Sequence, residues 1–276
     1  IGWRGEPNIP DEPQHKKQGQ VQLSLLQSMD IPYEIISKND QQINEKITKA
    51  IADTKMKSRP FFIVIKKGTF DSYAKPSLGF DEKLMTREES LEIILQNLPN
   101  NSIIVSTTGK TSREIYKIRE KHSEGHEKDF LTIGSMGHCS SIALGIAISK
   151  QERKVFCIDG DGALIMHMGS LSTVGKLKPK NLYHILINNY VYESVGGQES
   201  SAKFVDMCKL VESNGYKNIF SVNNSKMLIN DIKDFIKNEG PSFFEVIVKP
   251  GSRNNLGRPA IKPIDNKNIF MKYLSK

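Results

Sequence analysis

Residues 155–162 read VFCIDGDG and residues 182–189 read LYHILINN, and this pair of stretches decides the fold. Each is an apolar run with the composition of a buried strand, and each ends in polar residues, a Gly-Asp-Gly turn in the first and Asn188-Asn189 in the second. A helical segment lies between them, which predicts a βαβ crossover with the two strand ends side by side. Because strands and helices alternate throughout residues 86–276, we expect an α/β fold with a parallel sheet and helices on both faces.

The ends of these two predicted strands each offer a hard oxygen ligand. Asp161 has a carboxylate and Asn188 a side-chain carbonyl. Mg²⁺ prefers oxygen ligands and is usually held by one or two protein groups, with phosphate and water completing its shell. Gly160 and Gly162 allow the backbone to approach an anion, and a helix beginning near Ala163 would direct its N-terminal amides at that anion. The pattern therefore predicts a magnesium ion that holds a diphosphate.

The same stretch has two other interpretations. A dinucleotide-binding G-x-G-x-x-G fingerprint that starts at Gly160 requires glycine at position 165, where the chain has Ile165. Gly-Asp and Asn-Asn are also common turn dipeptides, so either of them alone would indicate only a turn. The joint pattern favours the metal–diphosphate site.

Composition is that of an ordinary globular protein. Of the 276 residues, 38% are hydrophobic and 25% are charged, and this length suits about two domains. No apolar run approaches the roughly 20 residues of a membrane helix, and the N-terminus lacks the order of a signal peptide. The three cysteines are unclustered, which favours reduced thiols in a cytoplasmic protein. The net charge of +8 comes from dispersed lysines without a nucleic-acid motif, so we expect neither a nucleic-acid nor a membrane partner.

The sequence divides into three predicted parts. Residues 1–70 have the pattern of a partial α/β domain, residues 71–85 that of a linker, and residues 86–276 contain the βαβ crossover. Within the first part, prolines favour a loop over residues 1–20, followed by a helix of about ten residues that ends near Met29.

Local signals predict several helices and strands in residues 86–276. Thr86 and Glu89 form a capping box at the start of a helix. Thr111 or Ser112 should cap a later helix, and Gly145 should let another helix pack closely on the sheet. The remaining predicted elements are strands at Ser102–Ser106, Asp129–Ile133, Asn218–Val222 and 243–249, and helices at Lys203–Asn214 and Lys226–Asn238.

The two strand ends resemble the GDG…NN signature of thiamine diphosphate enzymes. Longer strings resemble the phosphonopyruvate decarboxylase family among them: TTGKTSRE at 107–114, DFLTIGSMGH at 129–138, DGDGALIMHMGSL at 159–171 and SVGGQ at 194–198. RGEP and DEPQH near the N-terminus are similar to the first domain of that family. The resemblance implies a thiamine diphosphate-binding fold, with residues 86–276 as the diphosphate-binding domain and residues 1–70 as the C-terminal part of a pyrimidine-binding domain.

The resemblance also implies roles for individual residues. Asp161, Asn188 and the backbone carbonyl of Tyr190 would bind Mg²⁺. Met136 would lie under the cofactor and enforce its bent conformation. The implied cofactor-binding residues are Gly134, Ser135, Met136, Gly160, Asp161, Gly162, Ala163, Asn188 and Tyr190.

Catalysis and substrate binding need further groups. His15 and His138 could transfer protons, and together with Met136 they make up the expected catalytic set. A substrate with phosphonate and carboxylate groups needs cations or hydrogen-bond donors. The candidates for that role are Thr107, Thr108, Lys110, Arg113 and Ser194.

The implied reaction is the decarboxylation of 3-phosphonopyruvate, a small 2-oxo acid, to phosphonoacetaldehyde and CO₂ in phosphonate biosynthesis. Sulfopyruvate or another 2-oxo acid is the alternative substrate, and a non-catalytic cofactor-binding subunit is the alternative function. The family's activating glutamate would lie before Ile1, so we expect an N-terminally truncated chain whose activity by itself is open. The family further implies a homo-oligomer with active sites between subunits.

Overall fold

The computed structural model of the chain describes residues 1–73, 79–132 and 134–276. The chain divides into two compact units, Ile1–Pro76 and Ser77–Lys276, and each is described by itself. Residues 74–78 of the predicted linker and Ile133 of a predicted strand lie outside the described residues. In the described part of the chain, no helix combines the length and the apolar character needed to cross a membrane.

The first unit is a small α/β layer. Its elements are α1 (Pro13–Ser28), β1 (Tyr33–Ile36), α2 (Ile43–Lys57) and β2 (Phe62–Ile65). The two strands pair in parallel, with Tyr33 opposite Phe62. Helix α2 therefore forms the crossover that a parallel pair requires. The assignment of residues 1–70 to a pyrimidine-binding domain stays a prediction.

Helix α1 corrects one expectation from the sequence. A loop was predicted over residues 1–20 because of its prolines, but the helix begins at Pro13. Proline is tolerated in the first helical turn, where the missing N–H would have no intrahelical partner anyway. Gly19 of the same helix is buried, and a Cβ on it would lie 1.9 Å from the Gly5 carbonyl oxygen. The N-terminal segment thus packs closely on the part of the helix that the sequence analysis missed.

The second unit alternates strands and helices. In chain order its elements are α3 (Arg87–Asn97), β3 (Ile103–Ser106), α4 (Lys110–Lys121), β4 (Asp129–Leu131), α5 (Cys139–Ser149), β5 (Val155–Gly160), α6 (Asp161–Met166), α7 (Ser170–Leu177), β6 (Leu182–Asn188), β7 (Val191–Tyr192), β8 (Gln198–Glu199), a 3₁₀ turn (Ser201–Phe204), α8 (Met207–Ser213), β9 (Asn218–Val222), α9 (Ser225–Lys237), β10 (Ser242–Ile247) and α10 (Pro263–Leu274).

These strands form one parallel sheet and one short hairpin. The six-stranded sheet has the order β4-β3-β5-β6-β10-β9, and its neighbouring strands are all parallel. Phe156 and Ile158 of β5 join a core with α3, α4 and α9, whereas Val155 and Cys157 join a core with α5, α7, α8 and α10. Successive side chains of a strand point to opposite faces, so this sheet is buried on both sides. The α/β fold predicted from the sequence is confirmed.

The register of the sheet places polar residues at one edge. Gly160, the last residue of β5, lies opposite Ile187 of β6. Thr107 follows β3, Asp161 follows β5, and Asn188 ends β6. All three therefore lie at the carboxyl edge of the strands, where open α/β sheets bind their ligands.

The start of α4 differs from its prediction. Thr111 or Ser112 was expected to cap this helix, but Gly109 occupies the N-cap position and no side chain caps it. The Ser112 hydroxyl instead donates to the carbonyl of Thr107 at 2.7 Å. It thereby joins the helix to the end of β3.

The starts of α3 and α8 in the second unit are capped by side chains. The Thr86 side chain accepts from the Glu89 N–H and the Glu89 carboxylate accepts from the Thr86 N–H, which confirms the capping box at α3. The prediction of a helix over Lys203–Asn214 is wrong at its N-terminal end. The 3₁₀ turn comes first, and Asp206 caps the shorter α8.

Helix α5 packs on the sheet through its alanines. Ala143 and Ala147 are buried, whereas Gly145 is exposed, and no described atom lies within 4 Å of a Cβ placed on it. The expectation that Gly145 permits close packing is therefore wrong. Helix α10 and the β7–β8 hairpin had no counterpart in the sequence analysis.

Candidate functional site

Asp161 is a buried carboxylate at the junction of β5 and α6. The Ser200 hydroxyl donates to Asp161 Oδ2, and backbone N–H groups, including that of Asn189, also hydrogen-bond the carboxylate. Burial nevertheless raises the pKa of Asp161, because these donors do not fully replace water around the charge. A cation at this point would favour the ionised form. The adjacent helix begins at Asp161 and not near Ala163, which is buried at its third position.

Asn188 is held in one orientation at the end of β6. Its Nδ2 donates to Glu245 Oε1 at 2.8 Å, and its Oδ1 accepts from the Tyr190 N–H at 3.2 Å. Tyr190 has a left-handed backbone with φ of 59°, a conformation that costs energy for a residue with a Cβ and is often kept at functional sites. Its carbonyl accepts from the Ser200 N–H at 2.7 Å. Ser200 therefore bonds both to Asp161 and to Tyr190.

The three oxygens predicted to bind Mg²⁺ belong to Asp161, Asn188 and Tyr190, and their chemistry fits the ion. All are hard oxygen donors, which Mg²⁺ prefers. The carbonyl oxygens of Asn188 and Tyr190 each accept a hydrogen bond, and a carbonyl oxygen has a second lone pair for a metal. A bound Mg²⁺ would also offset the negative charge of the buried carboxylate.

Of the two glycines next to these oxygens, Gly160 leaves open space and Gly162 lies against neighbouring side chains. A Cβ on Gly160 would have Thr107 Cγ2, at 3.8 Å, as its nearest neighbour among the described atoms. This open space can admit a phosphate. A Cβ on Gly162 would instead lie 2.4 Å from the Tyr192 ring and 3.4 Å from Met136 Cε. Met136 thus lies against Gly162, and its role in supporting the cofactor stays a prediction.

The threonines that follow β3 face the same region. Thr108 Oγ1 accepts the Gly134 N–H at 3.1 Å, which joins two of the loops predicted to bind cofactor and substrate. Thr107 Oγ1 is buried and has no hydrogen-bond partner among the described residues. An unpaired buried hydroxyl is costly, so a ligand that bonds to it would lower the free energy of the protein. Ser135, between Gly134 and Met136, is exposed and has a φ of 47°.

Lys110 belongs to a network of charged side chains. Its Nζ lies 2.6 Å from Glu193 Oε1, and Arg87 lies 2.7 Å from the other oxygen of Glu193. Arg87 also forms a bidentate pair with the buried Glu114. Burial opposes ionisation of Glu193, but the charges of Arg87 and Lys110 and their hydrogen bonds lower its pKa. Lys110 is thus already paired, and an anionic substrate would compete with Glu193 for it.

Ser194 and Arg113 lie near the same helix start. Ser194 Oγ would be 2.9 Å from a Cβ on Gly109, the N-cap residue of α4. Arg113 is the fourth residue of that helix, and its side chain is not free of partners. Ser194 therefore joins the predicted substrate residues at the start of α4, and their contact with substrate stays a prediction.

The predicted histidines lie in different units. His138 is at the N-cap position of α5, and its ring is tilted by 54° relative to that of His167, with ring centroids 4.2 Å apart. Gly137 has a φ of 88°, and a Cβ on it would lie 2.4 Å from His167 Cδ2. His15 is on α1 of the first unit, with Nδ1 3.4 Å from Gln18 Oε1. The proton-transfer roles of His15 and His138 stay predictions.

Several residues of the site were missed from the sequence. The missed residues include Ser200, Glu193 and Tyr192, which lie in or next to the β7–β8 hairpin. No spacing of residues in the sequence predicts that this hairpin returns to the end of β6. Glu245 did have a signal, since it is a carboxylate inside the apolar strand β10 and must have partners there.

The chain is similar to several known proteins. A family model described as thiamine pyrophosphate enzyme, C-terminal TPP binding domain, matches residues 107–246. Phosphonopyruvate decarboxylase of Streptomyces viridochromogenes is 29% identical over 290 residues, which cover 99% of this chain and 71% of that protein. Sulfopyruvate decarboxylase subunit beta of Methanococcus maripaludis is 34% identical over 194 residues, which cover 70% of this chain and 99% of that protein.

A solved structure is similar in fold. The crystal structure of benzoylformate decarboxylase from Polynucleobacter necessarius matches with a TM-score of 0.51 and 16% sequence identity. The match covers 65% of this chain and 36% of that chain, so the matched part of this chain corresponds to about a third of the solved one.

Proposed function

Since the chain belongs to the thiamine pyrophosphate enzymes, we propose that it binds thiamine diphosphate through Mg²⁺ and decarboxylates 3-phosphonopyruvate to phosphonoacetaldehyde and CO₂. Its relatives from Streptomyces and Methanococcus are named as decarboxylases. The observation that carries the cofactor proposal is the buried Asp161 carboxylate, linked through Ser200 to the carbonyl of Tyr190.

The residues of this chain would bind and orient the cofactor. Asp161, Asn188 and Tyr190 would hold Mg²⁺ on the diphosphate, and the space at Gly160 would admit its phosphates. Met136, which lies against Gly162, would support the bend between the two rings. The chemistry that thiamine diphosphate supplies when bound is to accept the electrons released as CO₂ leaves the 2-oxo acid.

The choice of substrate rests on the extent of the similarity. The phosphonopyruvate decarboxylase aligns with 99% of this chain, so its similarity includes both units. The sulfopyruvate decarboxylase subunit aligns with 70%. Phosphonopyruvate carries a phosphonate and a carboxylate, for which Lys110, Arg113 and the hydroxyl of Ser194 supply donors at the start of α4. A substrate that reaches Lys110 would displace Glu193 from it.

Calorimetric titration of thiamine diphosphate in the presence of Mg²⁺ tests the cofactor proposal. The unmodified chain should bind the cofactor, and Asp161→Ala should abolish Mg²⁺-dependent binding. The matched control is Asp234→Ala, which removes an exposed carboxylate on α9 and should leave binding unchanged. Equal affinity of the Asp161→Ala variant and the unmodified chain would refute the proposed site.

Turnover of the two acids tests the substrate proposal. The purified protein would receive 3-phosphonopyruvate or sulfopyruvate, and the aldehyde formed would be quantified. A larger kcat/KM for 3-phosphonopyruvate is expected. Faster release of sulfoacetaldehyde would instead favour a sulfopyruvate decarboxylase, and tight cofactor binding without turnover of either acid would favour a non-catalytic cofactor-binding subunit.

We also propose that the protein works as a homo-oligomer with active sites between subunits. The Methanococcus relative is named as a subunit, which supports an assembly of some kind. Light scattering on the purified protein would measure the mass in solution, and a monomer at micromolar concentration in the presence of Mg²⁺ and thiamine diphosphate would contradict this proposal.

A further inference from the structure

Four side chains that the cofactor site does not use meet in the interior of the second unit. Cys139 is the first residue of α5, Cys157 and Asp159 lie on β5, and His184 lies on β6 opposite Cys157 in the parallel pair. All four are buried, with at most 1% of each residue exposed. They lie on the face of the sheet that carries α5, α7, α8 and α10, among apolar side chains.

The ligand atoms of Cys139, Cys157 and Asp159 are close together, and His184 lies next to Asp159. Cys139 Sγ and Cys157 Sγ are 3.4 Å apart, and these two atoms and a carboxylate oxygen of Asp159 all lie within 4.8 Å of one another. His184 Nε2 lies 3.6 Å from Asp159 Oδ2. In a tetrahedral zinc site, metal–ligand bonds of about 2.3 Å to sulfur and about 2.0–2.2 Å to nitrogen or oxygen place neighbouring ligand atoms about 3.3–3.8 Å apart. Both measured ligand pairs therefore need little movement to match such a site.

Two of these buried atoms have no hydrogen-bond partner in the described part of the chain. They are Asp159 Oδ2 and His184 Nε2. Unpaired polar atoms in an apolar interior cost free energy, and native proteins rarely contain them without a ligand or water. Since they belong to neighbouring strands and lie near each other, one bound cation would satisfy both.

The other polar atoms of Asp159 and His184 are already fixed by hydrogen bonds. Asp159 Oδ1 accepts the Gly160 N–H at 2.9 Å. His184 Nδ1 lies 3.2 Å from the Tyr216 hydroxyl, and when Nδ1 donates this hydrogen bond, Nε2 keeps its lone pair. Metal-binding histidines commonly have such an outer partner, which fixes the ring and its tautomer.

We propose that Cys139, Cys157, Asp159 and His184 bind one Zn²⁺ ion in a structural site, separate from the magnesium site. Two sulfur ligands and an imidazole favour Zn²⁺ over Mg²⁺, which is bound by oxygen. On binding, the two thiols become thiolates and release two protons to solvent. The Cys139 thiol gives up the hydrogen bond that it donates to the Val105 carbonyl.

The zinc ion would join the two segments that carry the cofactor site. Cys139 directly follows the loop with Met136 and His138, and Asp159 directly precedes Gly160 and Asp161. An ion that links α5 to β5 and β6 would hold these segments together whether or not the cofactor is bound.

Metal analysis of the full chain tests the zinc proposal. Because the four residues are buried, the ion would enter during folding, so the protein is produced with zinc in the medium and then dialysed against a chelator. Elemental analysis should find about one zinc per chain. The protein is then unfolded, stripped of metal and refolded with Co²⁺ in excess Mg²⁺. A thiolate-to-cobalt charge-transfer band is expected, which Co²⁺ bound to the oxygen ligands at Asp161 cannot produce.

Single cysteine variants locate the site. Cys157→Ser and Cys139→Ser should each weaken Co²⁺ binding by at least about 100-fold. The matched control is Cys208→Ser, since this third cysteine lies on α8 with its Sγ 3.9 Å from Glu245 and outside the group. It should keep the charge-transfer band at full strength.

Several outcomes would overturn the zinc proposal. The first is that the unmodified chain contains no zinc after production in zinc-containing medium and shows no charge-transfer band after refolding with Co²⁺. The second is loss of the band in Cys208→Ser. The third is a thiol count of one in the unfolded chain without reductant, since a Cys139–Cys157 disulfide would then replace the metal. The first and third outcomes are measured on the unmodified chain, so they decide the matter even if a cysteine variant fails to fold.

Discussion

Asp161 is a residue for which the proposed function and stability oppose each other. Burial raises the pKa of its carboxyl group, although Ser200 and backbone amides donate hydrogen bonds to it. A carboxyl whose pKa is higher in the folded than in the unfolded protein binds more protons when folded. The contribution of Asp161 to the free energy of unfolding therefore falls as pH rises from the unfolded pKa through the folded pKa, and in the metal-free protein this contribution is lowest above that range.

Replacing Asp161 by asparagine should stabilise the protein without metal and cofactor. Asp161→Asn removes the buried charge, and Ser200 can accept a hydrogen bond from the new amide. We expect the free energy of unfolding at pH 7 to rise by about 1 kcal/mol, with the gain shrinking as pH approaches about 4. Urea unfolding at a series of pH values measures this. Mg²⁺ with thiamine diphosphate should then stabilise the unmodified protein but not the variant; an Asp161→Asn protein that is less stable than the unmodified chain at every pH would contradict the argument.

Glu245 should act on the metal through Asn188. It accepts hydrogen bonds from Asn188 Nδ2 and Ser221 Oγ, each at 2.8 Å, and so fixes which side of the Asn188 amide faces the site. Glu245→Ala should weaken Mg²⁺-dependent cofactor binding about 10–100-fold, as loss of an outer partner usually does. Glu245→Gln can still accept from Asn188 and should restore most of the affinity in the same titration. Equal losses in the two variants would indicate that Glu245 supports the fold rather than the amide.

At the scale of elements, two helical glycines test how closely helices approach their neighbours. A Cβ on Gly175 of α7 would lie 1.5 Å from the Asn214 carbonyl oxygen, whereas a Cβ on Gly145 of α5 would meet no described atom within 4 Å. Gly175→Ala should therefore destabilise the protein by about 1–3 kcal/mol. Gly145→Ala should stabilise it by about 0.5–1 kcal/mol, because alanine loses less backbone entropy in a helix. Urea midpoints with unchanged m-values measure both changes, and equal stability of the two variants would contradict this packing.

The elements that the sequence predicts well are those with a strong local signal. The strands around Asp161 and Asn188 are continuous apolar runs, and the capping box at Thr86 is a local hydrogen-bond pattern, so each can be derived without tertiary information. The start of α1 at Pro13 could not be derived from the sequence, because proline suits both a loop and a first helical turn. The β7–β8 hairpin is two residues per strand, too short for any periodicity.

The same distinction applies to the candidate site. Asp161 and Asn188 end predicted parallel strands, and the rule that such ends lie side by side places them at one edge of the sheet. Ser200 reaches Asp161 only because the hairpin returns to the end of β6. The pairing of Cys139 with Cys157 and His184 depends on how α5 lies on the sheet, and three dispersed cysteines in the sequence gave no indication of it.

At the scale of the whole molecule, the second unit has the features of an independently folding domain. Its six-stranded sheet is complete within the unit and has a hydrophobic core on each face. The Methanococcus relative aligns with 70% of this chain over 99% of its own length. The oxygens proposed to bind Mg²⁺ and the space at Gly160 also belong to this unit. The diphosphate end of the proposed cofactor would therefore be bound by the second unit alone.

A fragment of residues 79–276 tests that argument. It should show native near-ultraviolet circular dichroism and a single cooperative unfolding transition in urea. With Mg²⁺ present, it should bind inorganic diphosphate with a Kd within about threefold of that of the full chain, a difference of less than about 1 kcal/mol. The fragment with Asp161→Ala is the control and should not bind. Because inorganic diphosphate lacks the pyrimidine and thiazolium rings, the measurement isolates the magnesium–diphosphate site from the rest of the cofactor. A folded fragment that has lost diphosphate affinity while the full chain retains it would mean that residues before 79 contribute to this end of the site.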